Sequence, residues 1–155
     1  MTTNVTTTTD ILEAINLRLL KKWPQRTVYA EACPVDFDRP SFWLQVQSHD
    51  QADAGKFLLR HTVVILLTLF DELDEHYEAS WQRLSRETDD AMYLLSPPLE
   101  AGGRHISLGL KRLPRDPDRA QLQLTAAWMD TMPGCDSNDI PVADSVELDT
   151  RVVLK

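Results

Sequence analysis

Four histidines and two cysteines are the residues of this chain best able to move protons, bind metal or attack a carbonyl. His49, His61, His76 and His105 lie too far apart in sequence to form a metal-ligand motif. His76 follows Asp74 and Glu75 and could share a cation with them, but three polar residues in a row read more simply as the solvated start of a helix. Cys33 with any of the histidines could form a nucleophile pair, yet no glycine elbow or cysteine-hydrolase signature surrounds it. Gly102-Gly103 is followed by neither a helix start nor a Lys-Ser/Thr pair, so it reads as a turn and not as a phosphate loop. His61 sits inside an apolar run, where a hydrogen-bonded sheet histidine is the simpler reading than a switch. Catalysis, a resident metal and a cofactor are therefore not expected.

The residues that remain must be organised by the apolar run itself, Lys56 to Phe70 (KFLLRHTVVILLTLF). Only Lys56, Arg60, His61 and two threonines interrupt it. Its β-branched Thr62-Val63-Val64-Ile65 core favours a pleated surface over a helix, although a 3.6-residue spacing can also be traced through it. As a strand it points Phe57, Leu59, His61, Val63, Ile65, Leu67 and Leu69 one way. Leu58, Arg60, Thr62, Val64, Leu66, Thr68 and Phe70 point the other. Such a strand would run roughly 50 Å, far beyond the usual five or six residues. No other segment of the 155 residues reads as a strand to cover that length, so either the strand reaches out of its domain or a neighbouring subunit covers it. The run is too short, and too charged at Arg60 and His61, to cross a membrane.

At 155 residues the chain has the size of one domain with a single core. Its net charge of −8 argues against a general grip on nucleic-acid phosphates. The opening MTTNVTTTTD has neither a basic region nor an apolar core and does not read as a signal peptide. Cys33 and Cys135 are expected as free thiols rather than a bridge.

Residues 1–9 form a Thr-rich leader that cannot bury enough surface to fold alone. A helix is expected from Asp10, with Asp10 and Glu13 as capping box, Ile11, Leu12, Ile15, Leu19 and Trp23 on one face, and Pro24 as stop. Thr27 to Ala32 and Ser41 to Ser48 read as strands, His49 to Gly55 as a polar loop before the long strand. The chain is expected to turn at Asp71-Glu72-Leu73-Asp74, and a second helix to run from there to about Leu95, with Tyr77, Trp81, Leu84, Thr88, Met92 and Leu95 on one stripe and an acidic outer face. A Gly-led hairpin follows, with Ile106, Leu108 and Leu110 on one arm and Leu122, Leu124, Ala126 and Trp128 on the other. From 133 to 155 the chain becomes an acidic extension, in which Val146 and Leu148 alternate like an edge strand or an arm. The whole predicts an α+β fold: an antiparallel sheet of about five strands, one long and central, packed by two helices on one face.

The order of DILEAINLRLLKKWPQ, TVYAEA, RPSFWLQV, FLLRHTVVILL and DELDEHYEASWQRL, followed by the Gly-led hairpin, resembles the tail terminator (head–tail joining) proteins of long-tailed bacteriophages. The resemblance covers residues 10–132 in order and spacing. It implies a structural virion protein: a homo-oligomeric ring, a hexamer, that caps the tail tube, stops its polymerisation and joins it to the head connector. Its partners would be its own copies, the tail tube protein and the head-completion protein, with genomic DNA passing through the lumen without specific binding. No catalysis and no membrane are implied, and the place of action would be the virion, with the host cytoplasm during assembly. A head-completion connector or tail-tube adaptor is the nearest alternative, and a small cytosolic enzyme a more distant one.

The residues expected to meet other subunits are Trp43, Phe57, Leu59, Arg60, His61, Val146 and Leu148. Trp43 stands opposite the core-facing Phe42, Leu44 and Val46. The others lie at the end of the long strand or in the extension, where strand addition would pair them across subunits. Trp81 and Trp128 share the spacing of apolar neighbours and are expected in the core.

Overall fold

A computed structural model describes residues 5–133. Helix α1 (Thr8–Lys22) starts one turn earlier than Asp10: extended Thr7 is the N-cap, accepting from the Asp10 amide at 3.2 Å while the Asp10 carboxylate accepts from the Thr7 amide at 2.9 Å. Asp10 thus closes the box from the N3 side. Part of the expected leader is therefore structural, and Thr6 is itself buried. Ile11, Ala14, Ile15 and Leu19 are buried, Lys21 and Lys22 occupy the last turn, and Trp23 caps the helix before Pro24.

The strands are β1 (Thr27–Ala30), β2 (Ser41–Gly55), β3 (Leu58–Phe70), β4 (Leu99–Ala101), β5 (Arg104–Ile106), β6 (Leu108–Arg112) and β7 (Arg119–Thr131). Five of them make one sheet in the order β1-β2-β3-β7-β6, with β3 central; β4 and β5 form a separate hairpin. The fold is α+β, and the sheet is mixed rather than antiparallel, because β1 runs parallel to β2. A parallel neighbour needs a return crossover, and residues 31–40, with a cis Arg39-Pro40 bond, make it.

The long strand is satisfied by its own chain, which corrects the sequence expectation. β2 pairs with it from Ser41 opposite Phe70 to Gly55 opposite Leu58. β7 pairs along its other side from Arg119 opposite Phe70 to Thr131 opposite Leu58. The expected polar loop at 49–55 is the missing partner: it is strand, exposed throughout.

Helix α2 (Trp81–Leu94) begins well after the turn expected at 71–74, because that turn runs on. Asp74 is the reason. Its Oδ1 accepts from the amides of His76 (2.8 Å) and Glu78 (3.0 Å), so those donors serve a turn rather than a helix. Tyr77 sits in this turn at φ 61°. Ser80 then caps α2. Tyr77 and Trp81, placed on the buried stripe by their spacing, are 79% and 60% exposed.

Both helices share one core with the sheet: Ile11, Ile15 and Leu19 from α1 and Leu84 and Ala91 from α2 join Phe42, Leu44, Val63, Ile65, Leu67, Leu69, Leu122, Leu124 and Ala126. The β4–β5 turn is pressed against the start of the chain. A Cβ on Gly102 (φ +58°) would stand 2.7 Å from Thr6 Oγ1, so glycine is required there both by conformation and by space. On the opposite sheet face, among the described residues, only the Phe70 end is covered. Phe37 packs on Phe70 with ring centroids 4.2 Å apart, Trp43 stacks on it at 6.5 Å, and the Arg39 and Arg119 guanidinium groups lie over its ring at 5.1 and 5.0 Å.

Candidate functional site: an outer ribbon and two charged poles

Beyond the helices, β2, β3 and β7 continue as a three-stranded ribbon, formed by 48–55, 58–62 and 127–131. A β-bulge between Val46 and Ser48 decides which way β2 faces there. It sets His49 opposite Val63 and on the same side as His61, instead of leaving it on the far side. The two imidazoles meet at 3.0 Å, His49 Nε2 to His61 Nδ1. His49 Nδ1 reaches Thr8 Oγ1 at 3.3 Å, tying the ribbon to the first turn of α1. His61 stacks on Trp128 (5.2 Å, 18°), and its Nε2 lies 3.7 Å from Asp130 Oδ2. Asp130 is buried; it accepts from Trp128 Nε1 at 3.0 Å and from the Arg104 guanidinium, which also donates to the Met129 carbonyl.

This cluster contains groups that handle protons, but their nitrogens and oxygens are spent on one another in a line and do not converge on a point. Among the described residues no three His, Cys, Asp or Glu side chains are placed to hold a metal ion. Partial burial pushes the Cys33 thiol up, with Arg119 opposing the shift, which disfavours the thiolate a nucleophile needs. What the cluster does physically is clasp the ribbon to α1 and to the β5 strand.

The expected contact residues separate into three groups. Arg60 is exposed on the uncovered side of the ribbon, beside Leu58 (41% exposed) and Met129 (49%). Leu59 and His61 face the other way: Leu59 is 8% exposed within its own subunit, which corrects its assignment as a contact, and His61 belongs to the clasp. Phe57 is half-buried, with Lys56 over its ring. Trp43 is half-buried too, its Nε1 donating to the Glu31 carbonyl at 3.1 Å. Val146 and Leu148 lie outside the described residues. Trp128 is in the core as expected; Trp81 is not.

Two further surfaces went unrecognised in the sequence. At the end of α1 a cleft of about 560 Å³ is lined by residues 22–27 and 38–40, with Lys22, Arg26 and Arg39 as its basic groups and Asp38 as its acid. Arg26 holds Glu87 through two bonds of 2.9 and 2.7 Å, and Arg39 reaches Asp118 at 3.2 Å. The hydrogen bond from Arg119 holds the Asp118 carboxyl below the usual carboxylate range, and Asp118 in turn raises Arg119. Arg39 also donates to the Asp71 carbonyl at 3.0 Å, and after Asp71 the 72–81 segment exposes Glu72, Asp74, Glu75 and Glu78 around Tyr77 and Trp81. The backbone amides of Glu78 and His76 keep Asp74 ionised to lower pH than an ordinary aspartate. A signal for the first surface was present in the run Lys21-Lys22-Trp23-Pro24-Gln25-Arg26; the second was hidden by reading Tyr77 and Trp81 as one helical stripe.

No family model and no curated protein matches the chain. One solved structure aligns over 81% of this chain and 98% of its own at 11% identity, with a TM-score of 0.38, a likeness too slight to bear on function.

Proposed function

We propose that this protein is the subunit of a ring that terminates a phage tail, capping the tube and presenting the opposite face to the head connector. The carrying observation is the pair of open edges on one sheet: β1 at one side and β6 at the other pair inward only, among the described residues. Open edges invite pairing with further chains, and a closed ring of copies removes them. The uncovered side of the ribbon, with Leu58, Arg60 and Met129 exposed, offers a second surface for the tube or the connector. A chain of net charge −8 also suits a lumen through which DNA must slide, since like charge repels phosphate.

Light scattering coupled to size-exclusion chromatography, followed by negative-stain imaging, tests the reading. Ring-shaped particles of several subunits, alone or on addition of tube protein, are expected. A monomer under both conditions overturns it.

A further inference from the structure

We infer that the ring closes head to tail, through Tyr77 and Trp81 of one copy seated at the Lys22–Trp23 cleft of the next. The inference rests on the ring reading above and names the surfaces that would make it. Tyr and Trp are among the side chains that most often anchor interfaces, and here both stand in solvent, at 79% and 60% exposure, on neighbouring turns of one segment. Trp81 is steadied by Arg115, whose guanidinium lies 6.0 Å from its ring. The rim is acidic: Glu72, Glu75 and Glu78 are exposed and make no ion pair among the described residues.

The cleft has room for a ring and carries three basic residues against one acid, Asp38. Its volume of about 560 Å³ falls within the range that takes a ring-bearing ligand. It offers the Trp23 face, with the Lys22 ammonium 5.7 Å and the Arg26 guanidinium 5.5 Å from that ring. Arg26 and Arg39 already hold Glu87 and Asp118, whereas Lys21 and Lys22 have no carboxylate partner among the described residues. Those two lysines are the positive charge left for the acidic rim of another copy.

The cleft adjoins Thr27 at the start of edge strand β1, and the aromatic segment is anchored by the Ala79 amide donating to the Pro117 carbonyl at 2.9 Å. Exposed Tyr77 does not fill the cleft of its own subunit. In a ring each copy gives its aromatic segment to one neighbour and its cleft to the other, and the contact closes when the rotation allows. The same two surfaces would also meet reciprocally in a two-fold dimer, so a wild-type dimer as the largest species overturns the head-to-tail contact.

Sedimentation velocity on the full chain tests this with wild type, Tyr77→Ala, Lys22→Glu, their equimolar mixture, and the double exchange Glu75→Lys with Lys22→Glu. Tyr77 and Lys22 are exposed, so thermal melts and circular dichroism should match wild type and separate misfolding from lost contact. Each single variant should assemble at least tenfold more weakly than wild type. The mixture, in which one partner keeps the aromatic anchor and the other the cleft, should give dimers and no rings. The double exchange should regain assembly. Wild-type assembly by both single variants overturns the head-to-tail contact and leaves the ring reading standing. Rings in the mixture, or no rescue in the double exchange, overturn it as well. A wild-type chain that stays monomeric, with or without tube protein, overturns both.

Discussion

The inner and outer halves of β3 are one strand in two different solvents. From Val63 to Phe70 one face of the strand is sealed, with Val63, Ile65, Leu67 and Leu69 under the helices, and on the other face Phe70 is covered by Phe37 and Trp43. From Leu58 to Thr62 the same strand keeps its backbone ladder on both sides but loses its cover. There a polar clasp stands where the helices were, and Leu58 and Arg60 face water. The comparison teaches that hydrogen-bonded pairing and hydrophobic burial are separable. Pairing runs the full length of the strand, while burial, which carries most of the free energy of folding, stops near His61.

The largest test of that division removes a side chain from each half. Leu67→Ala should cost about 2 to 5 kcal/mol in urea unfolding, the range for an aliphatic side chain lost from a closed core. Equal costs for Leu67→Ala and Leu58→Ala would break the comparison. Next in size, Asp130→Ala takes the acceptor from Trp128 Nε1 and the carboxylate from beside His61 and Arg104. It should cost about 1 to 3 kcal/mol. Amide exchange should quicken at 58–62 and 128–131 while Ile65 to Leu67 continue to exchange with global unfolding. Exchange rising equally in both halves would show that the clasp stabilises the core and not the ribbon.

A smaller effect concerns acid. Asp118 titrates below its ordinary value of 3.8 because Arg119, and then Arg39, bond its charged form. A depressed carboxyl contributes stability that is whole above the unfolded value and disappears as pH falls through the folded one. Wild type should therefore lose stability on acidification below about pH 4, and Asp118→Asn should be slightly less stable at neutrality with a flatter profile in that window. The amount should be about 1 kcal/mol or less, since the pair is partly exposed. Identical acid limbs for the two proteins would remove Asp118 from the account. Smallest of all, Leu58→Ser should change monomer unfolding by no more than about 0.5 kcal/mol. A larger loss would mean that the ribbon's open side is covered in solution.

Much of the inner half was legible from residue order. The alternation of Val63, Ile65, Leu67 and Leu69, the apolar face of α1 and the arm Leu122-Leu124-Ala126-Trp128 all point inward as their spacing says. Burial on one side writes a period into the sequence. The outer half was illegible for the same reason. Ser48 to Gly55 is wet on both faces, so no selection for alternation marks it as strand, and its polar composition looks like a loop. The direction of β1 leaves no trace in a period of two. The turn expected at Asp71-Glu72-Leu73-Asp74 is longer than it looks, because the Asp74 side chain draws the His76 and Glu78 amides into it and delays α2. Parity sets Arg60 on one face of the strand and Leu59 and His61 on the other, as observed, whereas the meeting of His49 with His61 depends on a bulge that no local pattern announces.

That bulge gives β2 one residue more than its partner strand needs. Gln47 and Ser48 together face Val64, so deleting Gln47 alone would leave Ser48 opposite Val64 and His49 opposite Val63, its imidazole still beside His61. Removing both Gln47 and Ser48 would instead slide His49 to the place opposite Val64 and turn every side chain beyond it to the other face. A single deletion at this point should thus be borne, and a double one should unfasten the projection while the helical layer stays folded.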